Sequence, residues 1–79
     1  MIKAIHSTQQ KQLQRLLRRI RQEAELTQRE LAERIEVPQS VVSKYETGER
    51  RLDLVELKQV CEAVGVPLQE FVRRFEEGV

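Results

Sequence analysis

Four polar side chains, Gln39, Ser40, Ser43 and Lys44, stand in the run QSVVSKYETG and carry the most specific chemistry in the chain. On a helix their spacing of i, i+1, i+4 and i+5 forms one continuous outer strip once Val42 and Tyr45 turn inward. A glutamine amide can match an adenine edge with two hydrogen bonds, a serine hydroxyl both donates and accepts, and a lysine ammonium reaches guanine or a phosphate. The set suits the reading of base-pair edges rather than the making or breaking of bonds. No nucleophile with a base, phosphate-cradling glycine loop or metal-ligand spacing occurs, so neither an enzyme nor a cofactor or metal site is expected. The single Cys61 and the single His6 have no metal-binding spacing between them. Cys61 reads as a small core hydrophobe and His6 as an exposed N-terminal residue.

The strip needs a scaffold, and the apolar pattern describes one. Ser7 with Gln10 fits a capping box, and Leu13, Leu16, Leu17, Ile20 and Ala24 then form the stripe of a first helix over residues 8–25. Thr27 with Glu30 is a second capping box, opening a short helix with Leu31, Ala32 and Ile35 on one face and an end near Glu36. Pro38 is tolerated in a first turn and disfavours helix before it, so a third helix begins there and stops at Gly48, a natural left-handed C-terminal residue. Asp53 caps a fourth helix, with Leu54, Leu57, Val60, Cys61 and Val64 inward until Gly65. Pro67 starts a fifth, with Leu68, Phe71, Val72 and Phe75 on its stripe. The expected fold is all-α, five helices with no strand of any length, in one domain over 8–79. Residues 1–7, MIKAIHS, are expected to be a frayed tail or arm.

Bulk properties narrow the class. A chain of 79 residues, 39% hydrophobic, 34% charged and 4% aromatic, can build one small helical domain. Residues 1–25 carry six basic and two acidic side chains, residues 26–51 five of each, and residues 52–79 three and six, a gradient of +4, 0 and −3 within a net +1. Net charge alone is therefore no argument for a polyanionic partner, and position has to carry the case. No segment has the length or apolarity of a signal peptide or membrane span, and a lone cysteine suits a reducing compartment, so a cytoplasmic location is expected.

Residues 27–48, with the helices on either side, resemble the helix-turn-helix of Cro and phage repressors, the xenobiotic-response-element family, over roughly residues 13–66. The resemblance implies a lambda-repressor-like domain whose third helix enters the major groove of duplex DNA, with Gln39, Ser40, Ser43 and Lys44 at the bases. It also implies phosphate contacts from Gln28, which would brace Gln39, and from Arg29, Arg50 and Arg51, and a structural ion pair of Arg21 with Glu46. The implied activity is transcription regulation, as a dimeric repressor on a palindromic operator. Phe71, Val72 and Phe75 are expected at the seam between copies, since helices 1 to 4 leave little for them to cover. A contrasting reading is a protein-interaction module, such as an antitoxin or adaptor, that binds its partner through the fifth helix. Glu25 and Glu36 stand where family members commonly have left-handed glycines, and Pro38 where a Ser or Thr cap is usual.

Overall fold

The computed structural model describes residues 8–78; the expected tail or arm of residues 1–7, with His6 and the Ser7 cap, lies outside them. Five helices follow one another: α1 (Thr8–Glu23), α2 (Gln28–Arg34), α3 (Gln39–Thr47), α4 (Leu54–Val64) and α5 (Leu68–Glu77), and no strand occurs among the described residues. Two starts are set by reciprocal caps. At α2 the Thr27 hydroxyl accepts from the Glu30 backbone N–H at 3.0 Å while the Glu30 carboxylate accepts from the Thr27 N–H at 2.8 Å. At α4, Asp53 and Glu56 repeat the exchange at 2.7 and 2.9 Å. Helices α3 and α5 are instead preceded by Pro38 and Pro67, neither with a side-chain cap.

The stops share one geometry. After α1 and α2 the second residue past the helix, and after α4 the first, turns left-handed, and the N–H after that reaches back five positions: Leu26 to Arg21 O, Val37 to Ala32 O, Val66 to Cys61 O. Glycine at 65 adopts this backbone freely. Glu25 and Glu36, both at φ 60°, do so against the clash of their Cβ. The apolar residue after each turn, Leu26 or Val37, packs on the core and holds the conformation in place.

Three helices supply most of the core. Leu16, Leu17 and Ile20 of α1, Leu31 and Ala32 of α2, and Val42 and Tyr45 of α3 are buried together with Leu26, Val60, Cys61 and Phe71. Ala32 is the small residue that lets α2 and α3 approach closely. Two expectations need correction. Leu54, placed on the inward stripe of α4, is 67% exposed, because the packed face of that helix begins one turn later at Leu57. Phe71, expected at a seam between copies, is 2% exposed and fills the chain's own core beneath α5. Among the expected seam residues Val72 is 42% exposed, while Phe75 lies half-buried against the core.

These features fix two expectations about stability and reactivity. Glu36→Gly removes a left-handed side-chain clash and should raise unfolding free energy by up to about 1 kcal/mol, net of the entropy glycine adds to the unfolded chain. A urea midpoint that stays put or falls would refute it. Burial pushes the Cys61 thiol up to about 11, so a thiol reagent at roughly pH 8 should label the denatured chain and spare the native one.

Candidate nucleic-acid interface

Helix α3 presents its polar strip as the alternation of its sequence requires. Val42 and Tyr45 are buried, while Gln39, Ser40 and Lys44 are exposed and Ser43 is half-buried beside them. None of these four side chains makes a hydrogen bond to any described residue, so all their donors and acceptors are open to a ligand. Gly48 closes the helix at φ 90°, with Lys44 O taking the N–H groups of Gly48, Glu49 and Arg50.

A buried carboxylate holds this helix at its angle. The Glu46 side chain is wholly buried, and Arg21 meets it with two prongs, Nε to Oε2 at 2.7 Å and Nη2 to Oε1 at 3.1 Å. Such planar pairing is both strong and directional. Arg21 Nη1 also donates to Leu26 O at 2.9 Å, tying the loop before α2 to the same guanidinium. The hydrogen bond to Glu46 raises the Arg21 pKa above its ordinary value, so the cation persists at every accessible pH. Gln28 Nε2 donates to Glu46 Oε1 at 3.0 Å. The amide that the resemblance assigns to a phosphate and to Gln39 is thus engaged inside the molecule, because a buried carboxylate has acceptor capacity to fill. The Tyr45 hydroxyl is buried without a partner and does not reach the surface.

The remaining cations divide by location. Lys58 pairs with Glu62, Arg73 with Glu70 and Glu77, and Arg74 with Glu23, so every cation of α4 and α5 is matched. Among the described residues Lys11, Arg15, Arg19, Arg29, Arg34, Lys44 and Arg51 have no carboxylate partner, and they lie on α1, α2, α3 and the loop after α3; Arg34 donates instead to Ala63 O at 2.9 Å. Arg50 is the exception in that loop. Its Nη2 meets Glu56 Oε2 at 2.7 Å, and the same carboxylate caps α4. This pairing was not legible in the sequence spacing, although Glu56 was there as the third residue after the Asp53 cap.

Among the described residues no group of His, Cys, Asp and Glu could hold a metal ion, and no helix is long and apolar enough to cross a membrane. A helix-turn-helix family model matches residues 17–71, well over half of the chain. An XRE-family like protein from Pseudomonas syringae pv. tomato str. DC3000 is 40% identical, with a TM-score of 0.85 over 95% of this chain and 92% of its own. Two structures of ClgR, the clp gene regulator of Corynebacterium glutamicum, are also similar. One is 27% identical at a TM-score of 0.79 over 90% of this chain and 76% of its own. The other is 28% identical at 0.80 over 96% and 97%. No curated protein matches the chain. With its five helices, its turn between α2 and α3 and these relatives, the chain belongs to the XRE family of helix-turn-helix proteins, which are DNA-binding transcription regulators rather than enzymes.

Proposed function

We propose that the protein is a cytoplasmic repressor that occupies a palindromic operator as a homodimer, with α3 of each copy in the major groove. The observation that carries this reading is the strip of Gln39, Ser40, Ser43 and Lys44, polar and unengaged on a helix whose other face is core. The major groove, about 12 Å wide, admits one helix, and the two readers of a dimer fall about 34 Å apart, one turn of the duplex. Arg29 and Arg51 supply phosphate contacts beside the groove. Arg50 contributes less, since it must leave Glu56 first. Gln28 acts chiefly through Glu46, bracing α3 from behind.

Val72, with the outer edge of Phe75, is the helix α5 contribution to the dimer seam. The second reading is a protein-interaction module, such as an antitoxin or adaptor, that binds its partner through α5; a further exposed pair supports it, Leu54 and Val55, 67% and 65% exposed, side by side at the start of α4. A gel shift against genomic fragments separates the readings, because an adaptor retains DNA only weakly and without sequence preference.

Two measurements test the assignment of roles. Gln39→Ala should cost about 1–3 kcal/mol on the operator and relax preference at one or two base pairs, whereas Arg51→Ala should weaken specific and random duplexes alike and flatten the salt slope by about one. Equal losses on both kinds of DNA for both variants would refute it. Val72→Asp is expected to sediment as a monomer with weakened operator affinity; an unchanged mass would remove α5 from the interface.

A further inference from the structure

Helix α1 carries a second feature that the recognition strip does not use. Lys11, Arg15 and Arg18 recur at i, i+4 and i+7, which aligns them along one face. With Gln14 and Glu46 they line a shallow hollow beside the C-terminal end of α3. The Gln14 amide lies over Gly48, where even a Cβ would collide with it, so α1 and the end of α3 are in direct contact there. Lys11 and Arg15 have no carboxylate partner among the described residues. Arg18 approaches Glu46 Oε1 at 3.6 Å, but that carboxylate is already held by Arg21, so two arginines share one negative charge. Four cations and one carboxylate thus meet along this edge, and three of the cations are exposed.

We infer that Lys11, Arg15 and Arg18 form a track for the DNA backbone, taking the phosphates beside the base pairs that α3 covers. The inference rests on α3 being the helix that enters the groove. A helix lying in the groove has a wall of phosphates on either side, and its C-terminal end must rise past one of them. Helix α1 is fastened to that end by Gln14 against Gly48 and by Arg21 on Glu46. Its outer cations therefore lie against the same wall, with Lys11 and Arg15 about 6 Å apart along the axis. Contacts of this kind set register and orientation and carry no base preference. Arg19 does not line that hollow: it borders a second one with Gln12, Arg15, Leu16 and Gly78 near the end of α5, so Arg15 stands between the two and Arg19 on the far side.

The test compares Lys11→Gln with Arg15→Gln in one chain against the single change Arg19→Gln as a control on the same helix, titrating operator and random duplexes at a series of salt concentrations. The double variant should bind both duplexes more weakly by the same factor and keep its preference between them. Each phosphate contact adds about 0.9 to the slope of log affinity on log salt, so its slope should flatten by roughly 1.8. The control should leave the slope as it is. A double variant with the parent slope overturns the track while leaving the groove reading intact, and a flattening by Arg19→Gln that is as large per charge removed overturns it in favour of general charge. If the unaltered protein shows no sequence preference on any duplex, the groove reading falls and the track with it. Circular dichroism melts of all three chains check that the solvent-facing substitutions leave the fold unchanged.

Discussion

The Glu46 carboxylate is the point on which the architecture turns. It comes from α3, its main partner Arg21 from α1 and its second donor Gln28 from the first turn of α2, so one buried charge registers three helices. Taking a carboxylate and a guanidinium out of water carries a desolvation penalty of several kcal/mol per ion, and only near-ideal geometry with every lone pair occupied offsets it. Loss of either partner alone would leave an unpaired buried charge at about 3–5 kcal/mol, a large share of the stability of so small a domain. Hydrophobic contact between α1, α2 and α3 would tolerate small slides and rotations. A two-pronged ion pair does not, and this is why the outer strip of α3 has a defined direction.

That demand explains the economy of the turn between α2 and α3. Seven-residue α2 and nine-residue α3 are too short to persist alone. They are held by the cap at Thr27, the small Ala32 at their crossing, and the left-handed Glu36 that reverses the chain between them. Glutamate in that conformation is a local cost accepted because Val37, immediately after it, is anchored on the core.

Local chemistry was the legible part of the sequence. Thr27 with Glu30, and Asp53 alone, announced two helix starts, Gly48 and Gly65 two stops, and the prolines at 38 and 67 the two starts without side-chain caps. Each depends on residues within about one helical turn. The misplacements needed knowledge of the third dimension. Leu54 keeps the helical period of its neighbours yet extends past the body they pack on, and the inward place of Phe71 escapes the sequence because no residue count reveals how much core α5 must close. Side chains that commit to distant partners were equally hidden: Gln28 lies 18 residues from Glu46. Of the candidate site, the outward direction of Gln39, Ser40 and Lys44 followed from Val42 and Tyr45, whereas the partner of Arg50 did not follow from anything short of coordinates.

The pairing of every cation on α4 and α5, set beside the bare cations of α1 to α3, has a consequence for how the molecule moves. With a net charge of only +1, its attraction to a polyanion at long range is feeble. Its uneven distribution gives it instead an electric moment, and in the field around a duplex that moment exerts a torque that turns the basic end forward during diffusion, before any contact forms. On the groove reading proposed above, collisions made in that attitude are the productive ones, and added salt should slow them as it shortens the range of the field.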